Sequence, residues 1–223
     1  MLRKYSQLIG IQSDYTIIDP GDCADIISII ETEHGMDKVK DFPRSSQLVS
    51  AHSKALNTNQ SLEDTLFDMF GKWKYMEIER FIPDIKKILA DYQSYKKQNN
   101  MMDYDDLLIN FISVLKRNPS IKNKLADIYQ YIMIDEYQDS NYLQEKIIFM
   151  LREKNRNLAV VGDDYQCIYG FRGSMVENII NFPQKMSGCK VVYLTQNYRS
   201  NQEIMDLSNI VMKKHSLEGF FKK

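Results

Sequence analysis

Two adjacent carboxylates at the end of an apolar run are the residues in this sequence best suited to chemistry. Asp135 and Glu136 directly follow Tyr131–Ile134, which has the length and branched content of a buried strand. An aspartate in that place can hold a magnesium ion, often through water, because magnesium prefers oxygen ligands. The glutamate can then orient or deprotonate a water molecule that attacks a nucleotide phosphate. The alternative is a helix N-terminus stabilised by acidic residues.

A second polar cluster follows the apolar run Leu158–Val161. It contains two acidic residues and Gln166, whose amide can hydrogen-bond a terminal phosphate or its water without adding charge. Further along, Tyr169 and Phe171 lie two residues apart beside Arg172. Their rings can stack on nucleic-acid bases, and each stacked base contributes roughly 1–3 kcal/mol. The alternative is a turn whose aromatic side chains are buried in the core.

A third cluster follows the apolar run Val191–Leu194 and contains Tyr198 and Arg199. The Arg199 guanidinium can pair with a phosphate and supply positive charge where negative charge develops in a transition state. The ring of Tyr198 can lie against an adenine ring. The alternative for Arg199 is a surface arginine paired with a carboxylate.

These clusters need a parallel sheet to bring them together. Helical patterns at Ser140–Glu153 and Met175–Phe182 separate the three apolar runs. Strands that alternate with helices indicate a parallel sheet with right-handed crossovers. The carboxyl ends of parallel strands share one edge of the sheet, which is where such folds place their chemistry. We therefore expect Glu136, Gln166 and Arg199 to converge at that edge.

Residues 1–128 carry the spacing of helices rather than strands. Ser61 has the position of an N-cap with Asp64 three residues later, as in a capping box. The polar stretch Lys96–Asn100 is expected to be a turn between two helices. The apolar residues in these segments recur at helical spacing, and packing in a core is the simplest explanation of that pattern. Helices are expected at Asp22–Glu33, after Ser61, across Ile85–Tyr95 and after Asp103.

The composition excludes several classes of protein. Of the 223 residues, 43% are hydrophobic and 26% are charged, which is ordinary for a globular protein with a core. The formal net charge of -1 gives no overall positive field, so any contact with nucleic acid must come from a local surface. The three cysteines lack zinc-type spacing and indicate thiols in a reducing compartment. No signal peptide and no run of roughly 20 apolar residues occurs, so we expect a cytoplasmic protein without membrane contact.

Together and in this order, the three clusters resemble the UvrD/Rep/PcrA-like branch of superfamily 1 DNA helicases. The matching segments are Ile134–Asp139, Val161–Ser174 and Gln196–Ser200. Upstream, Tyr15–Asp19 resembles the start of this family's inserted helical domain, and Met102–Leu108 resembles the segment that leads back to the core. The resemblance implies an α/β fold with a partial RecA-like (P-loop NTPase) parallel sheet, plus an inserted all-helical domain.

The resemblance also implies a domain organisation and an activity. Residues 1–128 would be the helical insert domain, 129–212 the later part of the first RecA-like ATPase core domain, and 213–223 a tail. The implied protein is an ATP-dependent DNA helicase that couples ATP hydrolysis to 3′-to-5′ translocation on single-stranded DNA and to duplex unwinding. Its cofactors would be ATP and Mg²⁺. Its partners would be single-stranded and duplex DNA and the remaining helicase domains.

On the nucleotide side, the resemblance implies a role for each candidate residue. Asp135 would bind the magnesium of MgATP, through water, and Glu136 would be the catalytic base for the attacking water. Gln166 would sense the terminal phosphate. Tyr198 would stack on adenine, and Arg199 would reach the terminal phosphate.

On the DNA side, the resemblance implies that Tyr169 and Phe171 contact single-stranded DNA. Arg172 would couple the nucleotide state to the DNA groove. Phe171 stands where the family commonly has tryptophan or phenylalanine, and either ring can stack. Tyr137 replaces a common phenylalanine of the family, which is a mild change.

The sequence departs from the family in its phosphate-binding loop. No segment fits Gly-x-x-x-x-Gly-Lys-Ser/Thr, the loop that supplies backbone amides and a lysine to hold phosphates. The family's first DNA-contacting motifs and second motor domain are missing too. We therefore expect that this chain alone hydrolyses no ATP and does not bind ATP and Mg²⁺ tightly. Two further interpretations stay open: a catalytically inactive module that binds DNA or protein, and a fragment of a helicase–nuclease of the RecB or AddA type.

Overall fold

The computed structural model describes residues 1–167 and 176–215, which form a mostly helical α/β structure with small parallel sheets. Short 3-10 helices lie at Ser6–Ile9, Glu79–Phe81, Tyr137–Asp139 and Asp164–Gln166. In the described ranges, no helix combines the length and the apolar character needed to cross a membrane. The helices and strands are, in chain order, α1 (Leu2–Tyr5), β1 (Thr16–Ile17), α2 (Pro20–Glu33), α3 (Ser45–Thr58), α4 (Leu62–Ile78), α5 (Ile82–Gln98), β2 (Met101–Met102), α6 (Tyr104–Arg117), α7 (Pro119–Ile128), β3 (Ile132–Ile134), α8 (Tyr142–Arg152), β4 (Leu158–Val160), α9 (Val176–Ile180), α10 (Phe182–Lys185) and α11 (Gln202–His215).

Helices α2 to α5 pack around one apolar core. The Asp19 side chain begins α2 by accepting hydrogen bonds from the backbone of Gly21 and Asp22. Ser61 caps α4 as predicted, since its side chain accepts from the Asp64 backbone N–H. Burying one large aliphatic side chain contributes roughly 1.5–3 kcal/mol, and several are fully buried here. They include Ile27, Leu48, Leu66, Ile78, Ile85 and Ile88.

The two ends of this helical unit meet in a small parallel sheet. Strand β1 pairs with β2, with Thr16 opposite Met101. The chain therefore enters the helical unit after β1 and leaves it at β2, and these two strands lie side by side. The predicted turn at Lys96–Asn100 is partly wrong, because α5 continues to Gln98 and β2 begins soon after. The Lys96 side chain is buried rather than exposed in a turn.

Strands β3 and β4 form the second parallel sheet, as the sequence predicts. Met133 lies opposite Ala159 in the pairing, and α8 connects the two strands. On one face, Ile134 and Val160 pack with the buried Tyr137. The other face is open, and Met133 is 77% exposed on it. Parallel strands are ordinarily covered on both faces, so this sheet has one uncovered side.

The predicted third strand at Val191–Leu194 is wrong. These four residues have no strand assignment, and their exposure ranges from 50% to 84%. A strand needs a neighbour for its backbone hydrogen bonds, and no strand in the described part of the chain lies beside this segment. Tyr198 and Arg199 are therefore not attached to the edge of the β3–β4 sheet.

Candidate functional site

The chain turns sharply where β3 ends. Glu136 has a φ of +49°, in the left-handed region, which costs a residue with a side chain about 1–2 kcal/mol. Asp135 stabilises the turn, because its Oδ1 accepts a hydrogen bond of 2.9 Å from the Glu136 backbone N–H. Both carboxylates remain exposed, so a ligand can approach them from solvent.

Tyr137 anchors this turn in the core. Its ring is fully buried and meets Phe182 edge to face, with 5.3 Å between the ring centroids. Its backbone N–H donates to the Val161 carbonyl at 2.9 Å, and its hydroxyl donates to Glu145 Oε1 at 2.8 Å. Burial, together with the neighbouring Glu145 carboxylate, raises the pKa of Tyr137. The hydroxyl therefore stays protonated and keeps its role as a donor.

Gln138 joins this turn to the loop after β4. Its side-chain Nε2 donates to Glu136 Oε2 at 2.6 Å, and its Oε1 accepts from the Asp163 backbone N–H at 3.0 Å. Within the loop, Gln166 Nε2 donates to Asp163 Oδ2 at 2.8 Å. A continuous chain of hydrogen bonds therefore connects Glu136 with Gln166.

Gly162 allows the loop to approach Gln138 closely. A Cβ at this position would collide with Gln138 Oε1 and would lie 2.7 Å from Ile179 Cδ1 and 3.2 Å from the Tyr137 nitrogen. The position therefore has no room for a side chain. Sequence reasoning assigned no role to Gly162 or Gln138. The available signal was their place beside the carboxylates, in the segments that follow β3 and β4.

An open depression of about 530 Å³ lies beside the two carboxylates. Asp135 is exposed to solvent, and within the described ranges its Oδ2 has no hydrogen bond to another residue. Magnesium commonly takes one or two carboxylates and keeps several waters, and Asp135 fits an ion held in that way. No group of three or more metal-binding side chains occurs among the described residues. The depression is lined by Leu108, Ile134, Asp135, Glu136, Asp139, Ser140, Gln144, Ile147 and Ile148.

The third cluster stands apart from this network. Tyr198 is 91% exposed, and Arg199 is exposed as well. In the part of the chain that the structure describes, no hydrogen bond or ion pair joins the Arg199 guanidinium to Glu136 or Gln166. The structure thus joins two of the three groups that were expected to converge. The predicted DNA-contacting residues lie outside the described residues; they are Tyr169, Phe171 and Arg172.

Comparison with known proteins gives a consistent set of relatives. Residues 1–187 match the family described as the UvrD/REP helicase N-terminal domain. Over 216 residues the chain is 32% identical to the ATP-dependent DNA helicase PcrA of Staphylococcus epidermidis strain RP62A. It has the same identity, over the same length, to the ATP-dependent DNA helicase PcrA of Staphylococcus aureus strain Mu50. Each alignment covers 97% of this chain but only 28% of the relative's length.

Proposed function

Because the chain belongs to the UvrD/REP helicase N-terminal domain family, we propose that it is part of an ATP-dependent DNA helicase. The complete protein would couple ATP hydrolysis to 3′-to-5′ movement on single-stranded DNA and to duplex unwinding. The observation that carries this proposal is the hydrogen-bonded connection between Glu136 and Gln166 beside an open depression. A carboxylate and an amide held together at a sheet edge suit the activation of water next to a terminal phosphate.

The side chains in the turn after β3 and in the loop after β4 have distinct roles in this proposal. Asp135 would hold Mg²⁺ through water, and the bound ion would neutralise charge on the phosphate oxygens. Glu136 would orient the attacking water and accept its proton. Gln166 would contact the terminal phosphate, with Asp163 fixing the orientation of its amide.

Tyr198 and Arg199 would complete the nucleotide site from a separate segment. We propose that Tyr198 stacks on adenine and that Arg199 reaches the terminal phosphate. Both lie on an exposed part of the chain, so they must move onto the nucleotide when a second motor domain closes. Tyr169, Phe171 and Arg172 would contact DNA in the same complete protein.

The proposed domain organisation has support from the first small sheet. We propose a helical insert and, in residues 129–212, part of a RecA-like core, with 213–223 as a tail. The parallel pairing of β1 with β2 favours an insert closer to residues 18–100 than to the predicted 1–128. Helix α6 lies outside that shorter range, and its Val114 packs in a separate cluster with Leu2 and Tyr5.

The remaining part of the motor must supply what this chain lacks. No phosphate-binding loop occurs in its sequence, and backbone amides of such a loop hold most of a triphosphate. The chain alone is therefore proposed to be inactive. ATP, Mg²⁺ and DNA would act on the complete protein.

Release of radiolabelled phosphate from ATP tests the proposal. The full-length gene product should release phosphate faster when single-stranded DNA is present, and Glu136→Gln should abolish that release. The isolated chain should show no release above background. A full-length product that binds DNA but releases no phosphate would favour the catalytically inactive binding module instead. Release by the isolated chain that disappears in Glu136→Gln would contradict the proposed inactivity of the chain.

A further inference from the structure

The Glu136 carboxylate needs a partner to keep one orientation. Its side chain is exposed and has several freely rotating bonds, so in isolation it would sample many rotamers. Gln138, in contrast, is only 1% exposed and cannot move freely. Its neighbour Tyr137 is fully buried and is hydrogen-bonded through both its backbone and its hydroxyl. The amide of Gln138 therefore provides a fixed donor for a mobile carboxylate.

The hydrogen bonds of Gln138 allow only one orientation of its amide. The NH₂ group donates to Glu136, and the side-chain carbonyl oxygen accepts from the Asp163 N–H. The reverse orientation would place the NH₂ group against the Asp163 N–H and the carbonyl against a carboxylate. Both contacts would be repulsive, because each would pair two donors or two acceptors. The two partners therefore determine the orientation of the amide together.

We propose that Gln138 is a positioning residue that fixes the Glu136 carboxylate and makes its orientation depend on the loop that bears Gln166. The catalytic consequence rests on the proposed function, whereas the linkage itself does not. Three contacts support the linkage, since Cys167 Sγ also donates to the Gln138 backbone carbonyl at 3.5 Å. Because Gly162 has no side chain, the loop can approach the Gln138 amide closely enough for these contacts. A displacement of Asp163 would therefore shift the donor that holds Glu136.

Swapping the carboxylate of Glu136 and the amide of Gln138 tests the linkage in the isolated chain. In Gln138→Met the volume is nearly kept but both hydrogen bonds are lost, so exchange of the Asp163 amide hydrogen should accelerate about tenfold. Gln138→Glu alone places two carboxylates together and should also disturb the turn. In the double variant Glu136→Gln/Gln138→Glu, the introduced amide can donate to the introduced carboxylate, whose other oxygen accepts from Asp163.

The double variant should therefore restore slow exchange at Asp163, measured by nuclear magnetic resonance. If Gln138 only fills space, Gln138→Met will leave the hydrogen-exchange rate of the Asp163 amide unchanged. The effects of Glu136→Gln and Gln138→Glu on that rate will then be additive in the double variant. Either of those results would overturn the linkage. Gln47→Met is the matched control, because it removes a glutamine that accepts from the Arg44 backbone N–H at 2.9 Å in the helical unit. It should leave the exchange of Asp163 unchanged.

The full-length protein tests the catalytic consequence. Gln138→Met should lower kcat for ATP hydrolysis about 100-fold and leave the KM for ATP within about twofold, because Gln138 does not line the depression beside the carboxylates. The double variant should regain the slow exchange but not the activity, since it lacks the Glu136 carboxylate. An effect of Gln138→Met on KM alone would overturn the positioning role. If the unmodified protein hydrolyses no ATP, the proposed function fails while the exchange experiment still decides the linkage.

Discussion

Glu136 combines a strained backbone conformation with a carboxylate that is exposed to solvent. The Glu136 backbone adopts a left-handed conformation, and its carboxylate stays open to solvent. The cost is offset by neighbours that are buried and hydrogen-bonded, above all Tyr137 and Gln138. Strain of this kind is common where a side chain must be presented to a ligand. The stability of the turn therefore depends on residues that no ligand needs to touch.

Replacement of Gly162 by alanine tests this dependence. The new Cβ would collide with Gln138 Oε1, so Gly162→Ala should destabilise the chain by about 1–3 kcal/mol and accelerate exchange of the Asp163 amide. Gly188→Ala is the control, because Gly188 has a φ of +80° but its new Cβ would meet no atom within 4 Å. It should carry backbone strain alone and leave Asp163 protected. Urea denaturation and hydrogen exchange measure the two effects, and equal exchange in both variants would contradict the close approach.

His52 gives the helical unit a dependence on pH. Burial lowers its pKa below the ordinary 6.5, and the nearby Lys96 ammonium lowers it further, whereas Asp103 and Asp105 oppose the shift less strongly. The unfolded chain therefore binds the proton more readily than the folded chain. The contribution of His52 to stability is complete above pH 6.5 and declines as the pH falls from there toward the folded pKa.

A glutamine at this position should remove that contribution. His52→Gln can still hydrogen-bond Gln93, whose Nε2 lies 2.9 Å from His52 Nε2. We expect the urea midpoint of the native chain to fall more than that of the variant between about pH 8 and about pH 5.5. Parallel declines in the two proteins would show that His52 does not titrate differently on folding.

At the scale of secondary-structure elements, a buried ammonium joins α5 to α6. Lys96 is 1% exposed and donates to both Asp103 and Asp106, which together form the capping box of α6. The Tyr92 hydroxyl donates to Asp103 at 2.9 Å. Burial disfavours the charged form of Asp103, but the Lys96 ammonium and the hydrogen bonds from the Asp106 backbone and Tyr92 together outweigh burial and hold the pKa of that carboxyl below its usual value. The side chains of Lys96, Tyr92, Asp103 and Asp106 therefore hold the end of α5 against the start of α6, where the chain leaves the helical unit.

Loss of the ammonium should be among the most destabilising changes in the chain. Lys96→Met would leave the largely buried carboxylates of Asp103 and Asp106 without a cation, at a cost of about 3–5 kcal/mol. Adding Asp103→Asn and Asp106→Asn should recover most of that loss. Lys86→Met is the control, because Lys86 pairs with Glu63 on the surface and should contribute less than about 1 kcal/mol. Urea denaturation decides, and equal losses for Lys96→Met and Lys86→Met would contradict the buried role.

The elements differ in how far the sequence alone determines them. The caps at Ser61 and Asp103 were predictable because each uses a partner three residues away. Strands β3 and β4 were predictable from their apolar runs. The strand expected at Val191–Leu194 was not formed, because a strand depends on a neighbour that no local pattern specifies. The hydrogen bond between Gln138 and Asp163 joins residues 25 positions apart, so only the folded chain shows it.

At the scale of the whole molecule, several large apolar side chains remain exposed. The outer face of the β3–β4 sheet is open at Met133, and Val191–Leu194 is exposed. In α11, Ile204, Leu207 and Ile210 recur at three-residue intervals and are exposed as well. Apolar side chains left exposed in this number indicate a contact with another protein or domain. We expect the remaining domains of the proposed helicase to cover it.

Polar substitutions on this surface should therefore leave the fold intact. Leu194→Ser and Leu207→Ser should change the free energy of unfolding by no more than about 0.5 kcal/mol, because neither side chain is packed in a core. Both should reduce the binding of a hydrophobic dye and the light scattering of the concentrated chain. Leu125→Ser is the control, since Leu125 is buried in α7 and its loss should cost about 2 kcal/mol or more. A drop in stability for Leu207→Ser as large as that for Leu125→Ser would mean that α11 packs against other parts of this chain and does not leave this face free for another domain.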